Sequence, residues 1–175
     1  TSWYSMITWA YDDGNGNTST QTQNVIVDDT TAPVADVANL LDITAQCLVT
    51  VTAPTATDNC VGTVTATTTD PLTYSTQGNY TITWTYSDGN GNTSTQTQNV
   101  IVKDNVAPVA DITVLSDVLG QCSATVTTVP TATDNCGRII TGTTTDSLTY
   151  SAQGNYTITW TYADGNGNTS TQTQN

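Results

Sequence analysis

The 175-residue chain contains 15 aspartates but no glutamate, histidine or phenylalanine, and one lysine and one arginine leave it with a net charge of −13. Such a surface repels nucleic acid and anionic membrane, and it lacks the cation clusters that phosphate recognition needs. No apolar run is long enough to cross a bilayer as a helix, and acid–base catalysis would fall to Asp or Tyr alone. Nucleic-acid binding, direct membrane insertion and enzymatic activity are therefore not expected.

The elements come in repeating order. "DGNGNTSTQTQN" starts at Asp13, Asp88 and Asp164, "APVAD" ends at Asp36 and Asp111, and "TATDNC" ends at Cys60 and Cys136. Each motif thus returns after 75 or 76 residues, the mark of a tandem array. Three segments follow: 1–27, the C-terminal part of a preceding repeat; 28–102, a complete repeat; and 103–175, a repeat lacking its last few residues. The chain reads as a piece of a longer protein. Residues 1–12 fit the repeat poorly, because aligning Trp9 with Trp84 sets Trp3 against Gly78 and Ser5 against Tyr80.

Within a repeat the polarity alternates with period two. "CLVTVT" (Cys47–Thr52) and "TVTATTT" (Thr63–Thr69) predict strands. In "YTITWTY", Tyr80, Ile82, Trp84 and Tyr86 share one face and three threonines the other, as in a strand buried on one side. The turn "DGNGN" and the alternating "TSTQTQNVIV" complete a hairpin. Several short strands in about 75 residues predict an all-β fold of tandem small Ig-like Greek-key β-sandwich repeats. The aromatic stripe reads as core rather than as a sugar-stacking platform.

Each complete repeat holds two cysteines, Cys47 and Cys60 in the first and Cys122 and Cys136 in the second. Even number and equal placement predict one disulfide per repeat in an oxidising compartment. Closing a loop of roughly 14 residues is worth about 3 kcal/mol in the chain-entropy account. Free buried thiols are the alternative.

The motifs "P-x-A-T-D-N-C", "G-N-Y-T-I-T-W-T-Y-S-D-G-N-G-N" and "V-I-V-K-D-N-V-A-P" together resemble the hyalin-type (HYR) Ig-like repeat. The version strung along giant Bacteroidetes surface adhesins, such as gliding-motility adhesins exported by the type IX secretion system, is the most similar in pattern. The resemblance implies an extracellular, cell-surface location, tandem arrays and adhesive or stalk roles. Against the usual pattern, no Cys follows the Gly-Asn turn, where Thr95 and its neighbours stand.

An Ig-like sandwich brings its incoming linker, one inter-strand loop and the last hairpin turn to one pole. Those segments carry Asp28, Asp29, Asp58, Asp88 and Asn90 in the first repeat, and Asp104, Asp134, Asp164 and Asn166 in the second. Their side-chain oxygens suit Ca²⁺, which takes six to eight oxygen ligands in irregular geometry. The other interpretation is turn chemistry, since Asp, Asn and Gly stabilise tight turns without a metal. Thr30 and Ser147, in "DTT" and "DSL", match a Bacteroidetes O-glycosylation pattern. Two functions compete: a stalk segment whose partners are neighbouring repeats of the same chain, projecting a distant binding tip, or repeats that each bind an extracellular glycan or surface weakly and act by avidity.

Overall fold

The computed structural model describes residues 3–175; Thr1 and Ser2, the first two residues of the segment assigned to a preceding repeat, lie outside the described residues. Among the described residues every regular element is a strand. The chain opens with β1 (Trp3–Asp12) and β2 (Thr18–Val27). The first repeat then supplies β3 (Val34–Ala35), β4 (Ile43–Ala45), β5 (Val49–Thr50), β6 (Thr55–Asp58), β7 (Gly62–Thr65), β8 (Thr73–Tyr74), β9 (Gly78–Ser87) and β10 (Thr93–Val102). The second repeats the pattern with β11 (Val109–Ala110), β12 (Ala124–Thr125), β13 (Thr131–Thr133), β14 (Ile139–Thr141), β15 (Thr149–Tyr150), β16 (Ile158–Ala163) and β17 (Thr169–Gln174).

Strands pair out of chain order, in sheets β3-β6-β7, β5-β8 and β4-β10-β9, and again as β11-β13-β14, β12-β15 and β16-β17. These are two tandem all-β, Ig-like Greek-key repeats. The chain gathers into two compact units. One comprises the residues up to Ile43 with Thr50–Leu72 and Tyr80–Val100; the other comprises Thr44–Val49, Thr73–Asn79 and Ile101–Asn175.

Two expected strands are shorter than the alternation suggests. Over Cys47–Thr52 only Val49–Thr50 is strand, and Pro54, which has no N–H to give a ladder, follows closely. Over Thr63–Thr69, β7 stops at Thr65; the Ala66 N–H turns to the Pro54 carbonyl and Thr67 pairs with Thr85 of β9. The run thus leaves one sheet for the other.

Three of the four stripe residues on β9 are buried as expected, Ile82, Trp84 and Tyr86 being at most 1% exposed, while Tyr80 is only half-buried; on β16 Ile158, Trp160 and Tyr162 are at most 3% exposed. In the second repeat these pack with Ala132 and Ile140, with Leu115, Val126, Leu148 and Tyr150 around them. The polar tips of the rings are met from the partner strand. Trp84 Nε1 donates to Gln98 Oε1 and the Tyr86 hydroxyl to Gln96 Oε1, at 3.1 and 2.9 Å. Trp160 and Tyr162 do the same with Gln174 and Gln172. Trp9 and Tyr11 do so with Gln23 and Gln21, so the divergent residues of β1 form the same hairpin, paired along its length from Trp3–Val27 to Asp12–Thr18. On that hairpin, however, Trp9 is 47% and Tyr11 54% exposed.

Those glutamines also turn outward. Gln96 Nε2 donates to the carbonyls of Val37 and Ala38, Gln98 Nε2 to Leu41, and Ser94 Oγ to Pro33. Gln172, Gln174 and Ser170 bind Ile112, Ser116 and Pro108 in the same way. The side chains of "TSTQTQ" therefore take the place of a backbone ladder along segments with little strand of their own. The "PVAD" aspartates add another tie. Asp36 accepts the hydroxyls of Thr55 and Thr57, and Asp111 those of Thr131 and Thr133.

Trp160→Ala is expected to cost about 3–5 kcal/mol by emptying the second core, whereas Trp9→Ala on the bare hairpin should stay within about 1 kcal/mol. Urea unfolding followed by circular dichroism tests the contrast. The threonine hydroxyls hold the Asp36 and Asp111 carboxyls below the ordinary carboxylate range. Their contribution is therefore complete above the unfolded pKa of about 3.9 and is lost as pH falls through the lower folded values. An Asp36→Asn/Asp111→Asn double variant should show a shallower loss of stability between about pH 4 and pH 2 in an acid titration.

Candidate functional site

In "DGNGN" only the glycines take left-handed backbone: Gly89 at φ +77° and Gly91 at +116°, repeated by Gly165 and Gly167. The asparagines are thereby free to use their side chains. Asp88 Oδ1 accepts the N–H groups of Asn90, Gly91 and Asn92, and its Oδ2 accepts Asn92 Nδ2 at 2.6 Å. Asp164 binds Asn166 and Asn168 in the same way. Burial pushes both carboxyls up, but these donors outweigh it and hold them below the ordinary value. Two of the nine expected metal ligands, Asp88 and Asp164, are thus engaged in building the turn.

The turn also reaches the linker. Asn90 Nδ2 donates to Asp29 Oδ2 and Asn92 Nδ2 to the Asp29 carbonyl, as Asn166 and Asn168 do to Asp104. Next to this lie two matched groups, Asp29/Asp58/Cys60 and Asp104/Asp134/Cys136, each with its candidate ligand atoms within 4.8 Å of one another. Asp28 is a member of neither. Asp58 Oδ1 accepts the N–H groups of Cys60 and Val61. Asp58 Oδ2 and Asp134 Oδ1, on residues 4% exposed, have no hydrogen-bond partner among the described residues. A buried carboxylate oxygen left without a donor is costly, so each of these two atoms is suited to a further donor or a cation. The structure therefore brings together Asp29, Asp58 and Asn90, and again Asp104, Asp134 and Asn166. Thr30 and Ser147 are both exposed, and Ser147 Oγ donates to the Thr149 carbonyl.

The expected pairing within each repeat, Cys47 with Cys60 and Cys122 with Cys136, is not what the structure contains. Cys47 is bonded to Cys136, 89 residues away, with the Cα atoms 5.4 Å apart. The physical reason is position. Cys60 lies beside Asp29, Asp58 and Asp88, while the segment carrying Cys47 is packed with the second repeat. Lys103 N–H donates to the Ala45 carbonyl, and Asp104 N–H to Gln77 Oε1, whose own Nε2 donates to the Gln46 carbonyl. Gln46 Nε2 donates to Asn105 Oδ1, and Asn135 Nδ2 to Gln46 Oε1. "A-Q-C" of one repeat thus seats the linker and the "D-N-C" loop of the next. Sequence reasoning passed over Gln46 and Gln77; the signal was that "QC" and "QGNY" recur in both copies, at Gln121 and Gln153. Constraining an 89-residue loop is worth about 4–5 kcal/mol in the chain-entropy account, more than the short loop within one repeat would give.

Cys60 and Cys122 are free thiols in this chain. Desolvation, then the charge and hydrogen bond of Asp29, then the charges of Asp58 and Asp88, push the Cys60 thiol up. It is a protonated, slow nucleophile at neutral pH. In the matching group, Cys136 sulfur is spent in the disulfide, which leaves oxygens alone to meet a cation.

A family model for the HYR-like domain with 4 cysteines matches residues 30–102 and 108–174. The chain belongs to that family. It is also 36% identical to hyalin of Strongylocentrotus purpuratus over 95% of its own length, and 32% identical to hyalin of Lytechinus variegatus over 96%. It spans only 15% and 35% of those two relatives.

The four cysteines of this HYR-like pair fall in four different peptides when the chain is cut before aspartate: 42–57, 58–69, 117–133 and 134–145. Non-reducing mass spectrometry should find 42–57 joined to 134–145, with 58–69 and 117–133 carrying alkylated thiols. Finding 42–57 joined to 58–69 would restore pairing within the repeat.

Proposed function

We propose that this chain is a stalk segment of a long extracellular adhesive protein, with neighbouring repeats as its chief partners. The observation that carries this is the covalent and polar seating of one repeat on the next through Cys47–Cys136, Gln46 and Gln77. A module that binds a distant ligand has no need to make its junction with the next module so specific. The motif resemblance to Bacteroidetes gliding adhesins, and the similarity to two hyalins, support a place at the cell surface. The exposed hydroxyls of Thr30 and Ser147 fit glycan attachment in that setting.

Ca²⁺ is the cofactor proposed for the acidic poles. It would be held by Asp29 and Asp58 with Asn90, and by Asp104 and Asp134 with Asn166, the remaining ligands coming from carbonyls and water. Hard oxygen donors without histidine suit calcium rather than zinc. The orphaned oxygens of Asp58 and Asp134 are the specific support, together with a chain that has only two cationic side chains for 15 aspartates.

Thermal melts of the full chain in millimolar Ca²⁺ and in excess EDTA test this. The midpoint should be higher in Ca²⁺ by about 5–10 °C, as expected for ligand binding worth about 2–3 kcal/mol. The double variant Asp58→Asn/Asp134→Asn should erase the difference. Coincident wild-type curves would leave the acidic poles as turn chemistry alone. Saturable binding of the chain to a glycan array, retained by single repeats, would instead favour the avidity function.

A further inference from the structure

We propose that Cys60 and Cys122 are the two open halves of the same staple that joins Cys47 to Cys136, so that an array of these repeats is a chain of overlapping disulfide-closed loops that resists being drawn out by unfolding. Cys60 is the counterpart of Cys136, and Cys122 the counterpart of Cys47. The surroundings match as well. Cys60 shares with Cys136 a group of two aspartates within 4.8 Å.

At the other end, Cys122 lines a cleft of 680 Å³ with Gln121, Gln153, Tyr156 and Asn175. In the first repeat the counterparts of that cysteine and both glutamines are Cys47, Gln46 and Gln77, and there they are occupied. Cys47 holds Cys136, Gln46 holds Asn105 and Asn135, and Gln77 holds Asp104. The same molecule therefore shows what fills the cleft: the end of the repeat's own closing strand, as residues 100–102 do beside β4, and beyond it the linker and "D-N-C" loop of a following repeat of this kind. Cys60 likewise takes the "Q-C" cysteine of a preceding one.

Forming each staple converts two thiols to a disulfide. The two electrons and two protons pass to a disulfide oxidant such as oxidised glutathione, which leaves as two thiols.

The consequence is topological. Under tension the covalent path enters at Cys47, crosses to Cys136, runs back along the short segment to Cys122 and crosses again to the next repeat. At about 3.5 Å per residue, each further repeat can lengthen to roughly 55 Å, against about 260 Å for an unstapled one. Pulling cannot release the rest of the repeat while the sulfurs stay joined. The inference rests on the stalk function but not on calcium.

The test uses the full chain extended by a copy of residues 100–175 fused after Asn175, which keeps the repeat register, oxidised in a glutathione buffer and measured in EDTA. Titration should count two thiols both before and after the extension, because each added repeat brings two cysteines and closes one staple. Stretched between its termini, the oxidised chain should reach roughly 350 Å, and about 880 Å after reduction. Cys122→Ser should lengthen the oxidised chain to about 570 Å, because only the Cys47–Cys136 staple remains. Four thiols, or an oxidised length of about 570 Å without the substitution, would overturn the proposal by leaving Cys122 unpaired. Zero thiols, with a length of about 730 Å, would overturn it in favour of pairing within each repeat. Glycan binding with the stapled lengths intact would remove the stalk function and leave the staple.

Discussion

The structure depends on how little core a repeat of about 75 residues can bury. Each sandwich closes over one tryptophan, one tyrosine and one isoleucine from a single strand, Trp84, Tyr86 and Ile82 or Trp160, Tyr162 and Ile158. Burying an indole or a phenol helps only if its polar tip finds a partner. The partner strand supplies those partners as glutamines, Gln96 and Gln98 or Gln172 and Gln174. The same amides then tie down the strand-poor stretch that covers the aromatic face. A polar sequence thus serves the core, and the hydrophobic area a small domain lacks is supplemented by hydrogen bonds whose two ends are both fixed.

The same economy governs the junction. The end of one sandwich meets the next linker through amides and one sulfur. Gln46 and Gln77 read the backbone and side chains of the "K-D-N" linker, and Cys47 closes the bond. The aspartate turn serves both tasks. Asp88 and Asp164 fold the hairpin, and the asparagines they position hold Asp29 and Asp104 of the linker. A substitution in the turn would be felt both inside the repeat and at its end.

The bare hairpin β1–β2 shows which part of this is local. Its Trp9, Tyr11 and glutamine bonds form within the hairpin itself, although its residues 3–6 differ from the later copies. In the later copies the matching rings are covered by a segment distant in the chain, tied down through Gln96 and Gln98 or Gln172 and Gln174. Hairpin register follows from the turn and the alternation of side chains; burial does not.

The sequence by itself determined the period, the all-β class, the hairpin and its inward stripe, because these depend on neighbours in the chain and on a two-residue alternation. It also located the aspartate turns and the linker, since composition marks them. Tertiary structure alone decided the cysteine pairing. Spacing favours the short loop from Cys47 to Cys60, but the two residues face different surroundings, and a disulfide forms only where Cβ atoms meet. It likewise decided which acidic residues are spent on turns, Asp88 and Asp164, and which keep an unpartnered oxygen, Asp58 and Asp134. All four stand in similar turn-forming contexts along the chain; what separates them is that an asparagine side chain reaches the second oxygen of Asp88 and Asp164, while one oxygen of Asp58 and of Asp134 meets no donor among the described residues.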